Sequence, residues 1–269
     1  MGATQPARGA AAPRYPLKPD PYSSHSVIAQ AVRGLIGSRG RSQGGLEQHR
    51  PVVLDVGCGS GPLGALLAGA QIELVGVDAD PELLDYAGAF GYSALHQVDL
   101  EGGELPAAVE PADIIVFADV LEHCRRPDEV LARLLDRCLR PGGTVIVSLP
   151  NVAHWYVRAQ LLAGRWRYAD RGILDRTHLR FFTRDTGAAL LAVAGVHVAR
   201  CTATPLPLPV LHRRFNPGQP LFPLHRLSAQ ATRWWPTLLA YQFVFCGTYA
   251  GSAGDHPREP TATTSMTTA

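Results

Sequence analysis

The sequence has almost no lysine: Lys18 is the only one, and every other basic residue among the 25 lysines and arginines is an arginine. Mechanisms that need a catalytic lysine therefore have a single position available. The Tyr-x-x-x-Lys pair of short-chain dehydrogenases cannot form, because Arg14 stands four residues before Lys18. GC-rich coding is the simplest explanation of the arginine bias.

Surplus charge, paired cysteines and long apolar runs are lacking too. The formal net charge of +2 is smaller than the clustered basic surplus typical of nucleic-acid binders. Five scattered cysteines without metal-ligand spacing argue against a disulfide framework and favour the cytoplasm. The N-terminus has no apolar core of a secretory signal, and the apolar run 238–247 is shorter than the ~20 residues that span a bilayer. We therefore expect no nucleic-acid partner and no transmembrane segment.

The composition of both ends differs from that of the middle. Small residues, proline and threonine dominate there without apolar periodicity, which predicts disorder. The middle fits one globular domain, since 46% of all residues are hydrophobic. The predicted segments are disordered ends at 1–14 and 252–269 and one domain at 15–251, made of an N-terminal cap (15–49), a cofactor-binding half (50–150), a substrate insert (151–183) and a C-terminal half (184–251).

Short apolar runs rich in β-branched residues alternate with longer Ala/Leu-rich stretches. The runs are apolar throughout, as in strands buried on both faces of a parallel sheet. The alternation predicts an α/β doubly wound sheet that binds its ligands at the carboxyl ends of the strands. The predicted strands are 52–56, 72–77, 93–98, 114–117, 144–149, 196–202 and 241–246, and the predicted helices are 26–37, 61–69, 81–89, 127–139 and 184–195.

In the segment VLDVGCGSG the first predicted strand leads straight into a glycine-rich loop that starts at Gly57. Glycines allow unusual dihedral angles and the close approach of a ligand. Together with Gly64 the loop also satisfies the dinucleotide pattern G-x-G-x-x-G, as Gly59-x-Gly61-x-x-Gly64, which is a weak signal alone. Asp55, just before the loop, is a poor neighbour for a pyrophosphate and suits a ligand that carries an ammonium and a sulfonium group. Asp78, at the end of the second strand, can accept both hydroxyls of a ribose.

With these motifs the sequence resembles the class I S-adenosylmethionine-dependent methyltransferases. The segments VLDVGCGSG, VGVDADP, HQVDLE, DIIVFADVLEHCRRPDEVL and LRPGGTVIVSLPN match the family in order. The resemblance implies a Rossmann-like, seven-stranded, mostly parallel sheet with inserts after strands five and six, and S-adenosyl-L-methionine as cofactor. It places Asp55 at the methionine part, Asp78 at the ribose and Asp99 at the adenine. The implied cofactor-binding residues are Asp55, Gly57, Cys58, Gly59, Gly61, Asp78, Ala79, Asp99, Leu100, Ala118 and Asp119.

Three histidines fall in the segments expected to face the acceptor: His123, His154 and His178. Methyl transfer to a hydroxyl group requires removal of a proton, and histidine is the usual base. His178 lies in GRWRYADRGILDRTHLRFFT, which resembles a signature of small-molecule methyltransferases of sugar and secondary-metabolite pathways. We therefore expect methylation of a small-molecule hydroxyl on a sugar, a secondary metabolite or a lipid-linked acceptor, with nitrogen or carbon as the alternative methyl acceptors.

A divalent metal is a further alternative at the run Asp119-x-x-Glu122-His123. A similar run binds a metal in ubiquinone-pathway O-methyltransferases, so these three residues are candidate ligands. The competing interpretation, a hydrogen-bonded cap beyond the fourth strand, is favoured, and we predict no metal.

Several alternatives for partners remain open. The insert 151–183 holds six arginines against two aspartates, which indicates either an anionic acceptor such as a sugar phosphate or a solvated basic face. The proline-rich stretch 205–227 indicates a lid, a shallow membrane contact or an ordinary loop, and its prolines argue against a long amphipathic helix. Tyr22 and His25 are candidate lid residues. An NAD-dependent oxidoreductase and a non-catalytic cofactor-binding protein are the rival functions, and the oligomeric state is left open.

Overall fold

A seven-stranded sheet organises the chain. The structure, a computed structural model, describes residues 20–42, 50–103 and 105–249. The strand order is β3-β2-β1-β4-β5-β7-β6; only β7 runs antiparallel to its neighbours. This confirms the predicted fold. The strands are β1 (Val52–Val56), β2 (Glu73–Asp78), β3 (Ala94–Gln97), β4 (Ala112–Ala118), β5 (Leu139–Pro150), β6 (Val196–Thr204) and β7 (Gln242–Tyr249).

The helices begin where the sequence supplies a cap or an early proline. Asp80 accepts the backbone N–H groups of Glu82 and Leu83 at the start of α3, and Pro127 stands in the first turn of α4. No described helix combines the length and the apolar character needed to cross a bilayer. The described helices are α1 (Ser24–Ser42), α2 (Pro62–Leu67), α3 (Pro81–Ala87), α4 (Pro127–Cys138), α5 (Trp155–Leu162), α6 (Arg184–Val193), α7 (Leu208–Leu211), α8 (Phe222–Trp234) and α9 (Pro236–Leu239), with 3-10 turns at Leu121–His123 and Arg213–Phe215.

Both faces of the sheet are buried, which explains the uninterrupted apolar runs. In β4, Ile115 and Phe117 pack in the cluster that contains Leu131 of α4. Ile114 belongs to the opposite cluster, together with Ile28 of α1. Because successive side chains of a strand point to opposite faces, both sets of side chains in a central strand are buried, and most of its positions are apolar.

The prediction for the proline-rich stretch 205–227 is wrong in part. Helix α8 begins at Phe222, inside the stretch that was expected to form a loop, and continues for 13 residues. The prolines permit this because Pro217 and Pro220 precede the helix, and Pro223 lies in its first turn, where a backbone N–H has no intrahelical partner. Helix α5, inside the substrate insert, was also not predicted.

The predicted domain boundaries stay predictions. The ends 1–14 and 252–269 lie outside the described residues, as do parts of the N-terminal cap, including Lys18.

Candidate active site

The loop after β1 has the geometry that the glycines predict. Gly57, Gly59 and Gly61 have φ of 67°, 53° and 82°, in the left-handed region that favours glycine. A Cβ at Gly57 would come within 2.6 Å of Val120 Cγ2, whereas a Cβ at Gly59 would face open space. The N–H groups of Gly57 and Cys58 donate to Val77 O at 2.8 and 3.0 Å. The loop is thus fixed to the end of β2, and its surface at Gly59 is open to a ligand.

Asp78 connects this loop to the end of β2. Its Oδ2 accepts the N–H of Gly59 at 2.8 Å, and its Oδ1 accepts the N–H of Asp80 at 3.0 Å. Each carboxylate oxygen has two lone pairs, so both can accept a further hydrogen bond. The two backbone donors therefore fix the orientation of the carboxylate.

Asp55 is the buried acid of the site, with 1% of its surface exposed. Tyr92 Oη donates to Asp55 Oδ2 at 2.7 Å, and Oδ1 has no hydrogen-bond partner among the described residues. Burial raises the pKa of Asp55 to about 7, although the Tyr92 hydrogen bond opposes the shift. A buried carboxylate oxygen without a partner is costly unless a cationic group fills the place. Burial also raises the pKa of Cys58, which keeps this thiol protonated.

The other predicted cofactor residues lie at the same edge of the sheet. Asp99 follows β3 and is exposed, and its Oδ1 accepts the N–H of Glu101 at 2.9 Å. Leu100 lies beside it, Ala79 follows Asp78, and Ala118 ends β4. The structure therefore brings the predicted cofactor residues to the carboxyl ends of the neighbouring strands β3, β2, β1 and β4.

Asp119 has the one positive φ among described non-glycine residues, 56°, a conformation that costs of order 1–3 kcal/mol. Its Oδ1 accepts hydrogen bonds from Ser148 Oγ at 2.6 Å and Gln242 Nε2 at 2.8 Å. Its Oδ2 accepts one from Ser24 Oγ at 3.3 Å. These three contacts were not predicted, because the partners come from β5, β7 and α1 and two of them are far from Asp119 in the sequence.

His123 and His178 form a pair beyond the end of β4. Their rings meet edge to face with centroids 4.8 Å apart. His178 Nδ1 lies 3.1 Å from Ile173 O, and His123 Nδ1 lies 3.1 Å from Thr177 O. Because a carbonyl can only accept, each Nδ1 carries the hydrogen, and each Nε2 of the neutral ring holds a lone pair. Burial, followed by the nearby His123, lowers the pKa of His178, so this ring stays neutral and able to take a proton.

Glu122 completes this group. Its side chain is buried, and neither carboxylate oxygen has a hydrogen-bond partner in the described part of the chain. Burial and the nearby Asp119 hold its pKa well above the ordinary value. Glu122 O accepts the N–H groups of Leu179 and Arg180 at 2.8 and 3.0 Å, which fixes the loop that carries His178. These two backbone hydrogen bonds join the turn after β4 to the loop that carries His178.

The candidate metal ligands are only partly brought together. Within the described ranges, one group of three His, Cys, Asp or Glu residues has donor atoms within 4.8 Å of one another, namely Glu122, His123 and His178. Asp119, the third candidate from the sequence, is not part of it. His178, predicted as a base, takes that place.

His154 has a different chemistry. It caps α5 by accepting the N–H of Tyr156 at its Nδ1, at 3.3 Å. The neutral ring must then carry its hydrogen on Nε2, which is buried without a partner among the described residues. Burial lowers its pKa to about 4. Neither ring nitrogen of His154 therefore has a lone pair left to take a proton, which makes His154 the weaker candidate base.

Of the two predicted lid residues, Tyr22 precedes α1 and His25 lies in the first turn of that helix. Tyr22 packs against Phe222 and His225, with centroids 6.3 and 5.2 Å apart. The buried His225 Nε2 lies 3.0 Å from Asp20 Oδ1. His25 is half-buried, and burial lowers its pKa against the opposing charge of Asp119. Helix α8 is thereby attached to the segment that leads to Ser24 and Asp119.

Comparisons with known proteins agree with this geometry. The profile of a family described as a methyltransferase domain matches residues 32–199. An uncharacterised methyltransferase of Mycobacterium leprae is 32% identical over 132 residues, 49% of this chain and 49% of the relative. The ubiquinone biosynthesis O-methyltransferase of Xylella fastidiosa is 30% identical over 185 residues, 57% of this chain and 74% of the relative. The chain spans about half the length of the first of these relatives.

Solved structures share the fold. The magnesium protoporphyrin IX methyltransferase of Synechocystis, solved with bound S-adenosylhomocysteine, has a TM-score of 0.54 at 15% identity and covers 84% of this chain and 83% of its own. An S-adenosylmethionine-dependent methyltransferase of Archaeoglobus fulgidus has a TM-score of 0.51 at 18% identity, with coverage of 84% and 95%. Since the family profile covers more than half of the sequence and the sheet order is that of the class, the chain belongs to the class I S-adenosylmethionine-dependent methyltransferase family.

Proposed function

We propose that this protein transfers the methyl group of S-adenosylmethionine to a hydroxyl oxygen of a small-molecule acceptor. The observation that carries the choice of oxygen is the His178 ring, whose Nδ1 donates to Ile173 O and whose Nε2 is left with a lone pair. A hydroxyl needs such a base, whereas a neutral amine does not need one before the transfer. The relative from Xylella fastidiosa, an O-methyltransferase by name, supports the same choice.

The chain's own residues orient the reactants and move the proton. S-adenosylmethionine supplies an electrophilic methyl group on a sulfonium when bound. Asp55 would hold its ammonium group and Asp78 its ribose hydroxyls, which fixes the donor at the edge of the sheet. His178 Nε2 would take the hydroxyl proton as oxygen attacks, while Asp119, held by Ser148 and Gln242, lines the reacting side. Alignment alone can supply a large part of the rate in such a displacement.

We also propose that the protein contacts a membrane peripherally, and that its acceptor is anionic. Part of the arginine surplus in 151–183 is occupied: Arg176 pairs with Asp170 at 2.7 Å, Arg158 donates to Ala153 O, and Arg180 donates to Arg125 O. Arg165 and Arg167 of the same insert are exposed and suit an anionic group of the acceptor.

The proposal is tested with paired acceptors that differ only in a hydroxyl or an amino group. The protein is incubated with S-adenosylmethionine and each member of a pair, and products are identified by mass spectrometry. Transfer to the hydroxyl compounds supports the proposal. Transfer confined to the amines, with S-adenosylhomocysteine still bound in calorimetry, would reassign the protein to N-methylation.

Cofactor affinity is expected to fall as the pH is lowered through 7. Asp55 must be ionised to hold an ammonium group, and burial raises its pKa to about 7 in the cofactor-free protein. Below pH 7 the Asp55 carboxyl must lose a proton before the cofactor binds, so the affinity for the cofactor should drop by up to about tenfold per pH unit. Calorimetry with S-adenosylhomocysteine between pH 5.5 and 8.5 measures this. Asp55→Asn should bind weakly at every pH in that range; an equally steep profile in this variant would show that another group titrates.

A divalent cation at Glu122, His123 and His178 is the second candidate for the reactive side. The unpartnered carboxylate and two imidazole nitrogens are suitable ligands. We expect turnover to survive dialysis against EDTA, because His178 can act as a base without a metal. Suppose instead that dialysis abolishes turnover, and that Mn²⁺ or Zn²⁺ restores it while a buffer with only Mg²⁺ does not. A bound cation, and not His178 as a base, would then activate the acceptor.

A further inference from the structure

Helix α8 carries an apolar face that points away from the protein. Its buried residues include His225 and Ala229, whereas Leu224 is 54%, Leu227 60% and Trp234 84% exposed. The spacing of three and seven residues places these three side chains on one side of the helix. The adjoining Trp235 is 69% exposed. A surface helix normally shows the opposite pattern, with polar residues outward.

Arginines flank this face without compensating acids. Arg226 and Arg233, two helical turns apart, line a cavity of about 750 Å³ together with Arg184 and Arg200, and no acidic residue belongs to the described lining. Between Asp185 and Asp255 the sequence contains no aspartate or glutamate. Arg213 and Arg214, in the turn that packs against α8, are exposed as well.

We infer that the outward face of α8, with the arginine-lined cavity beside it, docks on an anionic lipid membrane. Trp and Leu side chains enter the boundary between headgroups and acyl chains, and guanidinium groups bind the phosphates. A second copy of this chain fits the surface poorly, because a two-fold contact would bring the same arginines together. This deepens the peripheral contact proposed above by naming its surface and its lipid charge, and it does not depend on methyltransferase activity.

Vesicle sedimentation tests the inference. The full-length protein is mixed with vesicles of phosphatidylcholine alone or with 30% phosphatidylglycerol, and we expect binding only to the anionic vesicles. Arg226→Gln/Arg233→Gln should weaken binding by roughly 25-fold, at about fivefold for each arginine near an anionic surface. Leu227→Ser/Trp234→Ser should weaken it by a similar factor, with little change in the melting temperature because both side chains are exposed.

Matched variants outside α8 serve as controls. Val193→Ser removes an apolar side chain that is 78% exposed on α6, and Arg137→Gln removes an exposed arginine of α4; both should bind like the parent protein. Equal binding to neutral and anionic vesicles, or none to either, would overturn the inference. A dimer in sedimentation velocity that Leu227→Ser/Trp234→Ser dissociates would also overturn it, since the face would then bind a second copy of the chain. The same holds if inorganic pyrophosphate binds saturably while anionic vesicles do not bind.

Discussion

Asp78→Asn is expected to weaken the binding of S-adenosylhomocysteine by about 100-fold or more. A hydrogen bond to a charged group contributes about 1.5–3 kcal/mol, so two hydroxyl donors to one carboxylate account for such a factor. The asparagine also places an N–H₂ group where either Gly59 N–H or Asp80 N–H now donates. Two donors then face each other, which disturbs the glycine loop in addition to removing the charge.

Calorimetry measures this effect, and Asp80→Asn is its control. Asp80 lies two residues away, carries the same charge and caps α3 through Oδ1, which an asparagine can still do. It should therefore change affinity by no more than about threefold, as a screened surface charge does. If Asp80→Asn weakened binding as much as Asp78→Asn, the general charge of this edge, and not a ribose contact, would explain the affinity.

The meeting of the proposed cofactor residues at one edge of the sheet was predictable because its signals are local. Gly57, Gly59 and Gly61 are needed by the backbone of a single turn, and Asp78 ends a strand that the apolar run already marks. Neighbouring parallel strands present their carboxyl ends at one edge. Residues at these strand ends therefore lie close together, independently of how the other segments pack.

The arrangement of the proposed acceptor side could be predicted only in part, because residues far apart in the sequence form it. Ser24, Ser148 and Gln242 meet at Asp119, and nothing in the sequence around them indicates these contacts. Glu122 and His178 are joined by backbone hydrogen bonds between the turn after β4 and a distant loop. The sequence named His178 and Glu122 for separate roles, and only the packing of the insert shows that they share one site.

Helix α8 shows how a composition rule can mislead. The prolines of 205–227 made a loop the natural prediction, yet a proline breaks a helix only where an intrahelical N–H is needed. Pro223 stands at the first turn, so the rule did not apply to the residues that follow.

The prediction that bears most directly on the chemistry concerns His178. His178→Asn should lower turnover by about 100-fold or more, within the range of about 10²–10⁴ that a general base contributes. The asparagine amide can still donate to Ile173 O, as Nδ1 does at 3.1 Å, so the loop should keep its place while the proton acceptor at Nε2 is lost. The affinity for S-adenosylhomocysteine should change little, because the cofactor residues lie at the ends of β1 to β4.

Two further histidine variants separate the base from general effects. His197→Ala removes an exposed histidine of β6 and should retain full turnover. His154→Asn should lose at most about threefold, since asparagine is also a good N-cap for α5 and the Nε2 of His154 is a donor. If His154→Asn were the variant that lost turnover while His178→Asn kept it, the tautomer argument would be wrong, and the base would lie on the α5 side of the site. Activity kept by both would leave Glu122 or His123 as the proton acceptor, because these are the remaining titratable members of the described group.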